Sequence, residues 1–283
     1  ASGIWLLENG AGTFQRCTVT GNTNAGIEVK TGGNPTVRDC TVADGKDVGI
    51  FVFENGTGTF ERCTVTGNAD AGIAVYDTSA GTFERCTVTG NTKAGIEVKT
   101  GGNSTVRDCT VADGKQNGIW VHTNGAGTFE RCTVTGNAYP GIAVKTGGNP
   151  TVRECTVTDG KNAGISVYEN GAGTFERCKV TGNTKAGIEV KTGGNPTVRE
   201  CTVADGKGAG ISVLENGAGT FERCKVTGNA DAGIAVKTGG NPTVRECTFA
   251  DGKDAGIWVH TNGAGAFERC TVTGNALAGI VVE

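Results

Sequence analysis

Apolar residues in this chain fall in short alternating runs, and the runs recur every 23 residues without slippage. Ile27 and Val29 alternate with Glu28 and Lys30, Phe14 follows a glycine-rich turn, and Val19 follows Cys17. Alternation with period two is the pattern of a half-buried strand, and no stretch shows the spacing of an amphipathic helix. Asn9-Gly10, Gly32-Gly33-Asn34-Pro35 and Asp44-Gly45 separate the runs, and Gly and Asn adopt positive φ cheaply at corners. Each unit therefore predicts three short strands and three corners. Near-identical units stack in register, and parallel crossovers are right-handed. The expected fold is an all-β, right-handed parallel β-helix of about twelve rungs, a single domain over residues 1–283.

Two kinds of rung alternate. One carries Thr59-Phe60-Glu61-Arg62-Cys63 and the other Thr36-Val37-Arg38-Asp39-Cys40. Identical rungs would stack like charges about 5 Å apart, whereas alternation sets Arg38 beside Glu61 and Arg107 beside Glu130. It also alternates large and small residues, Phe14, Val37 and Phe60, along one interior column. The order breaks once, where the rungs of Cys63 and Cys86 are both of the Phe kind and Asp77-Thr78-Ser79-Ala80-Gly81 replaces the usual turn.

Composition narrows the partners. With 49 Gly, no Met, 3 Trp and 3 Tyr, the chain can build only a thin repeated core. A net charge of −3 gives no basic field for nucleic acid, and no apolar run approaches a membrane span, so neither partner is expected. All 12 cysteines sit at one rung position, from Cys17 and Cys40 to Cys270. Metal sites favour close Cys pairs, and these are absent. Parallel in-register side chains meet disulfide geometry poorly. A column of reduced, buried thiols is the expectation, and with it a cytoplasmic setting.

The segment Gly26-Ile27-Glu28-Val29-Lys30-Thr31-Gly32-Gly33-Asn34-Pro35-Thr36-Val37-Arg38, followed by Asp44-Gly45-Lys46, resembles the CASH-type parallel β-helix repeats of F-box ubiquitin-ligase adaptors and of bacterial β-helix proteins. The resemblance covers nearly the whole chain. It implies the fold firmly and the function weakly, because that superfamily holds sugar lyases, hydrolases and binding modules. One corner that often carries an Asn ladder in the family carries Cys here. Near-identity of the rungs also fits a consensus, designed or recently amplified sequence.

The outward face of the Ile-x-Val strand is where enzymes of the resembled family build their clefts. Glycoside hydrolysis needs two carboxyls about 5–9.5 Å apart. Glu28 and Glu97 lie three rungs apart in one column, which leaves Glu54 and Asp77 at adjacent strand ends as the candidate pair. His122 and His260 read as solitary. Phe51, Phe53 and Tyr76 should form one apolar patch beside the break in alternation, and contiguous patches mark partner sites. The binding candidates are therefore Phe51, Phe53, Glu54, Tyr76, Asp77, Trp120 and His122, with no catalytic residue, metal or cofactor. The resulting expectation is a non-catalytic solenoid offering a flat face to a protein or glycan, with end-to-end self-association at uncovered strand edges. A carbohydrate-active enzyme of lyase or hydrolase type and a purely structural rod are the alternatives.

Overall fold

The computed structural model describes residues 1–283 as a parallel right-handed β-solenoid of about 12 turns of ~23 residues, with three strands per rung and no helix. The first sheet has 13 strands, among them Ile27–Val29, Ile50–Val52 and Ile73–Val75. The second and third have 12 each, beginning at Thr13–Gln15 and Thr18–Thr20. Register is the period itself, since Ile27 pairs with Ile50 and Phe14 with Val37. A one-residue slip would turn every core side chain outward, so 23-residue spacing is enforced by burial.

The core is a set of stacked columns. Ile27, Ile50 and Ile73 are fully buried, as are Val29, Val52 and Val75. Phe60 and Phe83, on the two consecutive Phe rungs, stack with ring centroids 4.8 Å apart. Each such buried side chain contributes about 1.5–3 kcal/mol of transfer free energy. Rungs also bond through their corners: of 196 backbone–backbone hydrogen bonds, 122 lie outside the strand ladders. Glycine is obligatory where rungs approach closest. A Cβ on Gly118 would meet the Gly141 carbonyl oxygen at 2.6 Å.

Two corners differ from expectation. The residue before each cysteine takes the left-handed conformation although it is charged, with φ of 53° at Asp39, 51° at Arg62 and 53° at Glu154. Such residues cost of order 1–3 kcal/mol each, and the stacked rungs on either side hold them there. Their side chains then project outward and pair between rungs, as in Arg62–Asp39 at 2.7 Å and Arg131–Asp108 at 2.8 Å. The second difference is an asparagine column at the corner after the third sheet. Asn137 accepts from the Gly114 N–H at 3.0 Å and donates to the carbonyls of Val111 and Thr135. Asn68, Asn91, Asn183 and Asn229 are likewise buried.

All twelve cysteines are free, and ten of them are buried. The Cys17 N–H donates to Cys40 Sγ at 3.3 Å, and the contact recurs between Cys86 and Cys109. Burial pushes the Cys40 thiol up, which keeps it protonated near neutrality.

At the break in alternation, Glu84 does face Glu61. Arg85 reaches Glu61 at 3.0 Å and Arg62 bonds it too, so the repulsion is neutralised locally.

Candidate functional site

The outward face of the first sheet is a furrow, and the flat surface expected of it needs correction. Ala74 and Ala143 are fully buried, Ser166 is 2% exposed and Glu97 5%. The corner leading into each strand rises beside this face, and Val48 and Ala71 pack with Ala74 against Phe51 and Tyr76. Along one side of the furrow, from Lys30 to His260, the residue after each Ile-x-Val is a lysine or a ring, with Leu214 the exception. The Lys30 ammonium lies 5.4 Å from the ring centroids of both Trp5 and Phe53. Lys99 lies 4.0 Å over Tyr76, and Lys145 5.6 Å from Trp120.

Within the furrow the expected aromatic patch is contiguous. Phe51 and Phe53 stack at 4.2 Å, and Phe51 meets Tyr76 edge-on at 5.0 Å. Glu54 and Asp77 occupy equivalent exposed corner positions one rung apart, and Thr31 donates to Glu54 at 3.1 Å. Neither carboxylate joins the furrow's hydrogen-bonded groups.

Those groups centre on Glu97, which stands three rungs from Glu28 and outside the candidates expected from sequence. Tyr76 Oη donates to one carboxylate oxygen of Glu97, and His122 Nε2 lies 2.8 Å from the other. Lys99 Nζ stands 3.6 Å from that same oxygen. His122 is therefore neither solitary nor exposed. It is 8% exposed, its ring stacks on Trp120 at 4.1 Å, and its Nδ1 lies 2.9 Å from Thr123 Oγ1. An ionised carboxylate only accepts, so Nε2 carries a proton, and in the neutral imidazole Nδ1 is the acceptor for the Thr123 hydroxyl. Sequence spacing does carry this signal. Glu97 follows Tyr76 by 21 residues and precedes His122 by 25, one rung minus or plus two, which are diagonal neighbours within reach of long side chains.

Electrostatics separates the acid from the conjugate base. Burial alone would raise Glu97, but hydrogen bonds from His122 and Tyr76, with Lys99 nearby, hold its carboxyl below the usual carboxylate range. Burial, followed by the hydrogen bond to Glu97, pushes the Tyr76 phenol well above its ordinary value. The arrangement is thus one buried carboxylate bracketed by a neutral phenol and an imidazole, with an ammonium beside it. It can move a proton and hold an anion. No three His, Cys, Asp or Glu side chains converge where they could hold a metal ion.

Several solved structures share this fold. The A-module of the Azotobacter vinelandii mannuronan C-5 epimerase AlgE4 superposes with a TM-score of 0.69 at 14% identity, over 95% of this chain and 88% of its own. The periplasmic alginate epimerase AlgG gives 0.74 at 9% identity, over 94% of this chain and 78% of its own. Pectate lyase Pel9A gives 0.50 at 12% identity, over 95% and 81%. No curated protein sequence matches. At such identities the likeness is one of fold, yet these neighbours are polysaccharide epimerases and a lyase. They stand against the expectation of a non-catalytic scaffold, which is corrected here. The physical ground of that expectation, a face lacking clustered ionisable groups, is removed by the Glu97 geometry. Matches of the family described as "right handed beta helix region" run over residues 1–139, 94–241 and 140–283, and the chain belongs to that family.

Proposed function

We propose that this chain is a carbohydrate-active enzyme of the polysaccharide epimerase or lyase type, acting on an acidic polysaccharide laid along the first-sheet furrow. One observation carries the reading: the buried Glu97 carboxylate on the floor of that furrow joins Tyr76, His122 and Lys99 along its side. Hydrolysis is the poorer fit, because it needs a pair of carboxyls and the groups bonded to Glu97 are a phenol and an imidazole.

C-5 epimerisation and β-elimination of a uronate share a first step, removal of the proton on the carbon that bears the carboxylate. Lys99 is the cation available to neutralise that carboxylate and stabilise the enediolate that forms. His122 is the base. Glu97 holds its Nε2–H, so Nδ1 carries the free lone pair once the sugar displaces the Thr123 hydroxyl. Tyr76, kept protonated, is the acid that returns a proton to carbon in epimerisation or to the departing oxygen in elimination. Glu97 bonds both and holds them in place; after the step the imidazolium releases its Nδ1 proton to water and the phenolate regains one from water, which restores the starting tautomer. Phe51, Phe53 and Trp120 supply the ring surfaces against which sugars rest.

The test is deuterium exchange. In D2O, polymannuronate or polygalacturonate incubated with the protein should gain deuterium at C-5 or yield an unsaturated, ultraviolet-absorbing end. Glu97→Gln and His122→Asn should each slow this by about 10²–10⁴-fold, the usual worth of acid–base catalysis. Absence of exchange and of unsaturated product with both polymers would sink the reading.

A further inference from the structure

The Trp120–His122 pair has a twin. Gly118-Ile119-Trp120-Val121-His122-Thr123-Asn124-Gly125 recurs six rungs later as Gly256-Ile257-Trp258-Val259-His260-Thr261-Asn262-Gly263. The geometry recurs with it. Trp258 and His260 stack at 4.2 Å, and His260 Nδ1 lies 2.9 Å from Thr261 Oγ1. In both copies the indole Nε1 is buried without an acceptor from the protein.

What surrounds the second copy differs. The position that pairs with Trp120 from the preceding rung is Glu97, whereas the one that pairs with Trp258 is Ala235. Leu214 and Lys237 stand where Tyr76 and Lys99 stand in the first copy. Without the carboxylate, His260 Nε2 has no partner, and no acid–base chain forms. Replacing Glu by Ala also empties space: Trp258 packs over Ala209, Ala232 and Ala235, and a groove of about 450 Å³ opens there. That volume suits a small ligand. Lys185, Lys207 and Lys237 line it, and none of the three pairs with a carboxylate. Of its acids, Glu189 is already held by Lys191 at 2.9 Å, which leaves Asp231. Unpaired cations outnumber unpaired anions, so the groove favours a carboxylate-bearing guest.

We propose that this groove is a second, non-catalytic binding site for an acidic sugar unit. The Trp258 ring faces the sugar, the lysines take its carboxylate, and His260 Nε2 meets a hydroxyl. It rests on the proposed function only in taking the sugar to belong to the same class of polymer. Six rungs at about 4.8 Å place it roughly 29 Å along the furrow from the first copy, out of reach of a bound trisaccharide spanning both.

The chain has only 2 histidines, and each marks one of the two sites. In protein labelled with ¹⁵N-histidine, trimannuronate or trigalacturonate should shift the His260 imidazole resonances saturably, while a neutral trisaccharide such as maltotriose should not. Ala235→Glu, which restores the carboxylate of the first copy, should weaken the His260-detected affinity at least tenfold and leave His122 responses unchanged. Glutamate already occupies this column at Glu28, Glu97 and Glu189, so the fold should tolerate it. Lys237→Ala should weaken binding in the same direction, as a check independent of filling the groove. A His260 signal that stays still at saturating trimannuronate and trigalacturonate, or that responds equally to maltotriose, overturns the proposal. Groove binding without turnover would sink the catalytic reading alone, and turnover with His260 silent would sink this one alone.

Discussion

His122 Nε2 and Glu97 Oε1 lie 2.8 Å apart although 25 residues separate them in sequence. Neither residue is unusual for its rung position, since Glu also stands at 28 and 189 and His at 260. What is particular is the diagonal: a histidine one rung on and two positions along from a glutamate, with a tyrosine one rung back in the same column as the histidine.

Removing that carboxylate should be felt in stability as well as in turnover. Glu97→Ala leaves the His122 Nε2–H and the Tyr76 hydroxyl buried without their acceptor. The expected loss is about 1–3 kcal/mol, measured as a shift in urea midpoint at unchanged slope. A midpoint equal to wild type would mean that water reaches the pair freely.

Acid should act through the same residue. The folded-state pKa of Glu97 lies below its ordinary 4.5. Its contribution is therefore complete above the unfolded value and is lost as pH falls from there through the folded one. Wild type should destabilise more steeply than Glu97→Gln below about pH 4.5, with no difference between their slopes at neutral pH. Parallel stability curves down the acid limb would refute the assignment.

The aromatic patch predicts a separation of affinity from catalysis. Phe51→Ser with Phe53→Ser removes stacked, half-buried rings that touch no member of the proton-transfer group other than Tyr76. KM for a polyuronate should rise about tenfold or more, from losses of roughly 1–2 kcal/mol, with kcat nearly unchanged. A fall in kcat alone would assign the rings to positioning Tyr76.

Thiol reactivity should follow the ends of the cysteine column. Cys17 and Cys270 are partly exposed and the other ten are buried. Native protein should react rapidly at about two thiols and, once denatured under non-reducing conditions, at all 12. Ten fast native thiols would mean that the wall opens far more often than its packing implies.

Asparagine at the third corner should matter by position along the stack. Asn137→Ala would strand the Gly114 N–H and two carbonyls, costing about 1–3 kcal/mol. Asn275→Ala, near the last rung and partly exposed, should cost less. Equal losses in thermal or urea unfolding would argue against burial as the cause.

Much of this molecule is legible without coordinates, and the reasons are specific. Ile27, Ile50 and Ile73 stand 23 apart because parallel pairing without insertions admits one register. The contact of Phe51, Phe53 and Tyr76 follows from that register. Glu97 is harder to see, because along its own column the nearest carboxylate is Glu28, three rungs away, whereas its partners Tyr76 and His122 are reached diagonally. The left-handed Arg62 and Asp39 are hidden for another reason: neither residue type advertises positive φ, and only the stacked neighbours impose it. The asparagine column was hidden by alternation, since Gly45 or Gly114 occupies its place on intervening rungs and supplies an N–H instead.

The absence of any insertion makes the surface a coordinate grid. A residue's remainder on division by 23 sets its longitude around the rod, and the quotient sets its latitude. Chemistry can then be relocated by copying side chains to the same longitudes elsewhere, with no loop to redesign. Conversely, a single inserted residue anywhere between Tyr76 and His122 would rotate part of the constellation off the furrow, even with every one of its side chains still present.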